Sequence, residues 1–339
     1  MRAWQVVAGQ QIDGLRLTHL PGAPLGPRDV RVRLRAVTLN YRDLIVLRGH
    51  YGGLTKDPLT PCSDGAGDVI DVGSEVIRFR PGDRVTSSFF PGWVDGEPSR
   101  AKVGHALGGG GARGTLAEEL VLPEDAWIAS PAHLDYAQAA ALTCAGTTAW
   151  NALFETGSLQ AGETVVLLGT GGVSIWALQL AKAAGARVIL TSSSDEKLAR
   201  ARSLGADETI NYRSTPQWAA EVLRLTGGDG ADQVVEVGGE KTIEQSLACI
   251  RLRGAITIVG AVSGVGGGIP PRSLIGNQGR VLGIYVGSRR YHEALARCVS
   301  LHRIVPVVDR AFDFEAAPDA FRHFESAQHF GKVAVTLAA

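Results

Sequence analysis

The chain has 339 residues, of which 45% are hydrophobic and 20% charged, so it can bury a large core and is expected to form two domains. Its 34 basic and 34 acidic residues balance, which excludes the basic footprint of nucleic-acid-binding proteins and a polybasic membrane-binding surface. No apolar run approaches the roughly 18 residues of a membrane span, and the N-terminal residues lack an apolar signal segment. The four cysteines are scattered without a CxxC pair, which is typical of a reduced protein. We therefore expect a cytoplasmic protein whose partner is a small-molecule substrate, with no nucleic acid and no membrane.

The first part of the chain, to about residue 124, is predicted to be rich in β-strands. Short β-branched runs alternate with turn residues, as in DVRVRLRAVTL (29–39) and GAGDVIDVG (65–73). Residues 91–115 are rich in glycine, proline and charge and predict a long surface loop. Residues 130–157 then show helical spacing that ends at a glycine.

From residue 164 onward, apolar strands and amphipathic helices alternate. The predicted strands are 164–169, 187–192, 208–212, 232–239 and 255–262, and the predicted helices are 173–185, 195–205, 216–227 and 242–254. This alternation indicates a parallel sheet that helices cover on both faces. We therefore predict an α/β protein in which residues 125–268 form a Rossmann dinucleotide-binding domain. Residues 1–124 and 269–339 are expected to form one discontinuous β-rich domain.

A glycine-rich turn joins the first strand of this region to its helix. Gly169 permits a tight turn, and Gly171 lets the backbone approach a pyrophosphate without a Cβ in the way. Gly172 and Val173 begin the helix, whose N-terminal amides attract negative charge. Ser174 replaces the third glycine of the usual fingerprint. The turn is predicted to bind a dinucleotide.

The acidic residue that usually binds the adenosine ribose of NAD is missing from the end of the second strand. Ser192 and Ser193 stand there, and Lys197 follows about one helical turn later. Hydroxyl groups and a lysine suit a 2′-phosphate, so NADP(H) is favoured over NAD(H). Asp195 lies close by and argues in the other direction, unless it serves only the first turn of its helix.

The chain resembles the zinc-independent quinone oxidoreductase and enoyl reductase branch of the medium-chain dehydrogenase/reductase superfamily over essentially its whole length. The resemblance is carried by the following motifs: LNYRDLIVLRGHYG (39–52), SDGAGDVIDVGSEVIRFRPGDRV (63–85), GTLAEELVLPEDAWIASP (114–131), CAGTTAWNAL (144–153), GTGGVS (169–174), LGADETINY (204–212) and HFGKVAV (329–335). It implies that the β-rich catalytic domain is GroES-like. It also implies that Lys197 and Tyr212 meet the 2′-phosphate of NADPH.

The resemblance extends the predicted cofactor site. Thr148 matches a threonine that contacts the nicotinamide, although a hydroxyl at the start of a helix is also consistent with a cap. Gly238, Gly260 and Val286 follow strands on the cofactor side, and Lys332 of the last motif is assigned to the same group. Residues 280–287 match a strand that pairs across a dimer in relatives, so a homodimer is expected.

The same resemblance bears on zinc, because the alcohol dehydrogenases of this superfamily carry a catalytic zinc ion. At the positions of their ligands this chain has Asn40, Ser63 and Cys144. Amide and hydroxyl oxygens are poor zinc ligands, and one thiol cannot hold the metal. We expect no metal, with Cys144 a small apolar residue and Asp64 a structural acceptor.

Without a metal, hydride addition to an activated alkene or a quinone needs less electrophilic assistance than reduction of a simple carbonyl. Tyr51 matches a tyrosine near the substrate in related enoyl thioester reductases and is a candidate proton donor, or else a loop tyrosine packed over the cleft. Asn40 is a second catalytic candidate that binds the nicotinamide ribose or a substrate oxygen, or else forms a turn.

The sequence therefore favours an NADPH-dependent reductase of enones, enoyl thioesters or quinones. Two alternatives stay open: a metal-free alcohol or aldehyde dehydrogenase, and a non-catalytic NADPH-binding protein.

Overall fold

The computed structural model describes residues 1–52, 54, 57–109, 111–264, 266 and 268–338. The chain divides into two compact units. Unit 1 contains Met1–Thr147 and Gly287–Ala339, and unit 2 contains Thr148–Val286. No helix in the described part of the chain combines the length and the apolarity that a bilayer crossing requires.

The elements of the first segment of unit 1 are β1 Arg2–Gln5, β2 Arg16–His19, β3 Asp29–Thr38, α1 Tyr41–Leu47, β4 Asp64–Val72, β5 Arg84–Ser87, α2 Arg100–Val103, β6 Glu119–Pro123, β7 Trp127–Ala129 and α3 Tyr136–Ala140. Those of unit 2 are α4 Thr147–Trp150, which begins one residue earlier, then β8 Thr164–Leu168, α5 Gly172–Ala183, β9 Arg187–Ser192, α6 Asp195–Ser203, β10 Glu208–Asn211, α7 Trp218–Leu225, β11 Ala231–Glu236, α8 Ile243–Cys249, β12 Ile250–Ile258, α9 Pro271–Asn277 and β13 Arg280–Gly283. The second segment of unit 1 adds α10 Arg289–His302, β14 Val308–Asp313, α11 Ala317–Glu325 and β15 Lys332–Thr336.

Unit 1 is built around the long strand β3. Its arginines alternate with Val30, Val32 and Leu34, which are fully buried, because successive side chains of a strand point to opposite faces. Within the described residues the main sheet has the order β14-β15-β3-β4-β5-β7, with β6 paired to β3. Strands β14 and β15 come from the C-terminal segment, so the sheet itself joins the two ends of the chain.

Unit 2 is a parallel sheet with the order β10-β9-β8-β11-β12-β13. Numbered by position along the chain, this is the order 3-2-1-4-5-6 of a doubly wound dinucleotide-binding fold. Val165, Val166 and Leu167 of β8 have no exposed surface, as expected for a central strand that is covered on both faces. The predicted fold class is confirmed.

The boundaries of the two parts differ from the predicted ones. Residues 125–147 belong to unit 1, because β7 pairs with β5 and α3 packs on β3 and β4. Residues 269–286 belong to unit 2, because β13 pairs with β12 in the parallel sheet. The composition of these segments did not reveal which sheet they join.

Two local predictions were also wrong. The helix expected to reach residue 254 ends at Cys249, because Ile250 already pairs with Ala231 and Arg253 takes a left-handed φ of 63°. The segment 91–115 is not a loop confined to the surface. It contains α2, and its Trp93 and Leu107 side chains are buried in unit 1.

Candidate cofactor and catalytic sites

The glycine turn lies at the carboxyl end of β8, where dinucleotide-binding sheets hold their ligand. Gly169 has a φ of 74°, a left-handed conformation that suits glycine. A Cβ built on Gly169 or Gly171 would meet nothing within 4 Å, so the backbone of this turn faces open space. Gly171 caps the 12-residue helix α5, which starts at Gly172 and continues with Val173. The turn therefore offers backbone amides at a helix N-terminus, the arrangement that binds phosphate.

Ser174, which replaces the third glycine of the fingerprint, is buried in this turn. Its Oγ donates a hydrogen bond of 2.7 Å to the carbonyl of Leu168. The third glycine normally permits close packing of helix and strand. Here the hydroxyl group bonds the strand end directly, so the substitution is compatible with the turn.

The ends of β9 and β10 hold the residues assigned to the 2′-phosphate. Ser192 is buried, Lys197 is half-buried in the first turn of α6, and the Tyr212 amide donates to the Ser192 carbonyl at 3.0 Å. Ser193 is half-buried beside them. The N-cap of α6 is Ser194, whose Oγ accepts from the Lys197 amide at 3.3 Å.

The competing carboxylate at this edge already accepts one hydrogen bond. Asp195 Oδ1 accepts a hydrogen bond of 2.8 Å from Asn211 Nδ2. Asn211 pairs with Ser192 in the sheet, so this bond ties the start of α6 to β10. One oxygen of the acid that argued for NAD thus helps to hold its own helix.

Glu236 organises the turn after β11 and was not identified from the sequence. Its buried Oε1 accepts from the Gly238 amide at 2.7 Å, the Gly239 amide at 3.0 Å and Thr242 Oγ1 at 2.6 Å, and its Oε2 accepts from Ser246 Oγ at 2.5 Å. A carboxylate that accepts hydrogen bonds from several N–H and O–H groups is held firmly in place. Glu236 directly follows the apolar residues of a strand. The available sequence signal was therefore an isolated acid at a position that the sheet would bury.

The other residues assigned to the cofactor group lie at strand ends or in buried positions of unit 2. The Gly238 amide donates to Glu236, and the Gly238 carbonyl accepts from the Ser263 amide and hydroxyl. Gly260 follows β12, and the Val286 carbonyl accepts from Asn151 Nδ2 at 3.0 Å. Thr148 lies in α4 and is 4% exposed. Two π-helical turns flank α4, at Leu142–Gly146 and Asn151–Glu155. Such turns within helices are frequent at functional sites.

In unit 1, a buried polar cluster forms where β3, β4 and β15 meet. Lys332 Nζ donates to the Leu39 carbonyl at 2.7 Å, to Asn40 Oδ1 at 2.5 Å and to Asp64 Oδ2 at 3.2 Å. Asp64 also accepts from Thr38 Oγ1 at 2.8 Å and from Ser63 Oγ at 2.9 Å, which makes it the structural acceptor predicted. Lys332 thus lies in the same cluster as Asn40, and its assignment to the cofactor group stays a prediction.

A buried acid and a stacked arginine follow Asn40 on α1. The Asn40 amide donates to Asp43 Oδ2 at 2.8 Å, and burial raises the pKa of Asp43 to about 6. The guanidinium carbon of Arg42 lies 4.5 Å from the ring centroid of Tyr51 and 4.9 Å from that of Phe89. Tyr51 is therefore held against a cation by stacking. Phe89 is part of the buried core.

The residues at the zinc-ligand positions do not fit a zinc ion. The Asn40 carboxamide oxygen and the Asp64 carboxylate already accept hydrogen bonds from the ammonium of Lys332. The Ser63 hydroxyl donates a hydrogen bond to Asp64. Burial raises the pKa of the Cys144 thiol well above its ordinary value, so it stays protonated at neutral pH. Among the residues that the structure describes, no group of three His, Cys, Asp or Glu side chains is arranged to hold a metal.

Two family models match this chain: the alcohol dehydrogenase GroES-like domain over residues 26–132 and the zinc-binding dehydrogenase over residues 172–300. The chain is 43% identical to a zinc-type alcohol dehydrogenase-like protein of Schizosaccharomyces pombe over 92% of both chains. It is 38% identical to a quinone oxidoreductase of Pseudomonas aeruginosa over 73% of this chain and 69% of that one.

A crystal structure described as an NAD-dependent alcohol dehydrogenase is similar over the whole of both chains, with a TM-score of 0.92 and 36% identity. The two family models cover both units in chain order, and full-length relatives share more than a third of their residues with this chain. The chain is an oxidoreductase-family protein and belongs to the medium-chain dehydrogenase/reductase superfamily.

Proposed function

We propose that this protein is an NADPH-dependent, zinc-free oxidoreductase that transfers a hydride to an activated C=C of an enone or enoyl compound, or to a quinone. The observation that carries the proposal is the bond of the Lys332 ammonium to Asn40 and Asp64, which leaves a zinc ion no ligand set there. Simple carbonyl reduction then lacks its main electrophile. A conjugated acceptor instead spreads the developing charge onto an oxygen that hydrogen-bond donors stabilise.

The open glycine turn at Gly169 and Gly171 supports a nicotinamide coenzyme. The preference for NADPH rests on residues of this chain, since one solved relative is described as NAD-dependent. Asp195 is bonded to Asn211, and Lys197 supplies a positive charge in the first turn of α6. A 2′-phosphate gains from such a charge, whereas a ribose hydroxyl would need the carboxylate.

The bound coenzyme would supply the hydride. Backbone amides at Gly171 and Gly172 would hold the pyrophosphate, and Ser193, Lys197 and Tyr212 would hold the 2′-phosphate. As a hydride adds to the β-carbon of the acceptor, the electron pair of its C=C moves toward the carbonyl oxygen, which needs a donor. The O–H group of Tyr51 then delivers a proton to the α-carbon of the resulting enolate, which completes the reduction of the C=C.

The proposal is tested with the purified protein by following NADPH absorbance with a panel of acceptors. We expect turnover with enones, enoyl thioesters or quinones and none with simple aldehydes. Turnover of aldehydes or alcohols would favour a metal-free alcohol dehydrogenase, the reading suggested by the names of several relatives. Tight NADPH binding without turnover on any acceptor would favour a non-catalytic binding protein.

The role of Tyr51 has its own test. Tyr51→Phe keeps the ring stacked on Arg42 but removes the proton donor, so kcat should fall by roughly 10- to 100-fold with little change in NADPH affinity. Tyr136→Phe is the matched control, because it removes a hydroxyl that donates to Asp68 at 2.6 Å in the same unit. An unchanged kcat for Tyr51→Phe would reduce Tyr51 to a packing residue.

A further inference from the structure

We propose that Lys332 is a positioning residue that acts through Asn40: it fixes the Asn40 carboxamide so that Nδ2, and not Oδ1, is presented to the bound hydride acceptor. This inference rests on the proposed function above. It also revises the assignment of Lys332 as a direct cofactor ligand.

The ammonium of Lys332 has no donor left for a ligand. A lysine ammonium carries three N–H bonds. They meet the Leu39 carbonyl, Asn40 Oδ1 and Asp64 Oδ2, all inside unit 1. Lys332 is 2% exposed, so its ammonium is shielded from solvent. The Asp64 carboxylate balances its charge.

The orientation of the Asn40 carboxamide follows from this contact. An ammonium can only donate, so the group that faces it at 2.5 Å must be the oxygen of the amide and cannot be its nitrogen. The backbone amide of Asn40 is bonded to Asp43 Oδ2, which fixes the start of α1. The side chain therefore has one orientation compatible with its neighbours.

This orientation leaves Asn40 Nδ2 as a buried donor. Asn40 is 8% exposed, and its Nδ2 makes no hydrogen bond within the described residues. Buried amide groups nearly always have a partner, and the exceptions concentrate at functional sites. We assign the missing hydrogen-bond acceptor to the oxygen of the bound substrate on which charge develops.

The neighbours of Lys332 make the arrangement rigid. Asp64 is held by the hydroxyls of Thr38 and Ser63 as well as by Lys332. Strand β15 carries Lys332 beside β3, which ends at Thr38 two residues before Asn40. A cation held at three points fixes the amide more firmly than a flexible surface lysine would.

The test compares Lys332→Gln, Asn40→Asp and the double variant. Asn40→Asp keeps an acceptor for Lys332 but loses the donor, so kcat should fall by about 100-fold. A glutamine at 332 can present either its NH₂ or its oxygen, so the Asn40 amide loses its fixed orientation and kcat should fall by about 10-fold. NADPH affinity should stay within about twofold in Lys332→Gln, and the double variant should be no slower than Asn40→Asp alone.

Lys182→Gln is the control for removing a hydrogen-bonded lysine. Its Nζ donates to the Ala186 carbonyl at 2.9 Å and to Asp207 Oδ2 at 2.8 Å in unit 2, and kcat should not change. A large loss of NADPH affinity in Lys332→Gln would identify Lys332 as a cofactor ligand and overturn the proposal. Additive losses in the double variant, or a lowered melting temperature with normal kcat, would overturn it too.

A readout without turnover separates this proposal from the proposed function. In protein labelled with ¹⁵N-asparagine, the side-chain NH₂ resonance of Asn40 should move when a hydride acceptor is added. The shift should be lost in Lys332→Gln. A resonance that does not respond to the hydride acceptor in the unaltered protein overturns the role of Asn40 Nδ2, whereas absence of turnover with a responding resonance overturns only the reductase proposal.

Discussion

At the scale of single residues, the proposed preference for NADPH is argued from one lysine and one carboxylate. Lys197→Ala should weaken NADPH binding by roughly 5- to 10-fold, about 1 kcal/mol for a partly exposed charge-assisted contact, and leave NADH binding unchanged. Titration of each coenzyme by fluorescence measures both constants. Arg202→Ala, on the same helix, is the control and should bind NADPH normally. Equal losses for both coenzymes would remove the argument for a 2′-phosphate site.

A buried histidine makes the stability of unit 1 sensitive to acid. His292 is 2% exposed, its ring nitrogen lies 3.3 Å from Thr86 Oγ1, and burial lowers the pKa of His292 to about 3. The unfolded chain binds this proton at its ordinary pKa near 6.5, and the folded chain does so only near 3. The contribution is therefore fully present above about pH 6.5 and is lost as the pH falls toward 3, at roughly 1.4 kcal/mol per pH unit.

This dependence is measured by urea unfolding at several pH values between 7 and 4. His292→Gln should flatten the acid loss of stability, whereas His302→Gln, an exposed histidine on the same helix, should not. Asp43 acts in the opposite direction, because burial raises the pKa of this acid to about 6 and favours folding at lower pH. Asp43 is present in all three proteins, so the difference in unfolding free energy between His292→Gln and the unaltered protein reports His292 alone. Parallel curves for all three proteins would contradict the assignment.

At the scale of elements, the β3–β4 pair depends on a close backbone approach at Gly67. A Cβ on Gly67 would lie 2.0 Å from the Arg33 carbonyl oxygen, and the pairing of the two strands shifts register between Leu34 and Ala36. Gly67→Ala should therefore destabilise unit 1 by about 2–4 kcal/mol. Thermal and urea unfolding measure the loss. Gly22→Ala, where the nearest heavy atom lies 3.7 Å away, should be nearly neutral, and equal stability of the two variants would refute the steric argument.

Elements were predictable where their pattern was local. The predicted strand 187–192 coincides with β9, and the strand at 164–169 differs from β8 by one residue, because each is a short apolar run between turns. The end of α8 was misplaced because the pairing of Ile250 with Ala231 overrides a continued helical pattern. Pairing partners lie far away in sequence, so periodicity does not report them.

At the scale of the whole molecule, the coenzyme should bind to unit 2 and stabilise it. Saturation to 100 times the dissociation constant adds about 2.7 kcal/mol to the free energy of unfolding of the part that binds it. Hydrogen exchange with NADPH present should therefore slow within Thr148–Val286, most of all near Gly171 and Ser192. Unchanged exchange there, despite saturating NADPH, would contradict the placement of the site. The expected homodimer stays a prediction.

The sequence by itself determined the class of the fold, the glycine turn at Gly169, the serines at the end of β9 and the membership in the superfamily. These features are local, since a turn and the strand and helix around it are read from adjacent residues. Through the resemblance, it also matched Asn40 to a zinc-ligand position of related alcohol dehydrogenases and Asp64 to a structural acceptor.

Only the tertiary structure decided how those residues are used. Lys332 and Asn40 meet because β15 returns to β3 across 292 positions of sequence. The bond of Asp195 to Asn211 and the turn around Glu236 likewise depend on side-chain directions that residue type leaves open. The Lys332 ammonium can only donate hydrogen bonds, whereas the Asn40 amide can turn either its oxygen or its nitrogen toward a neighbour. The orientation of the amide is therefore fixed only once the sheet brings the two groups within hydrogen-bond distance.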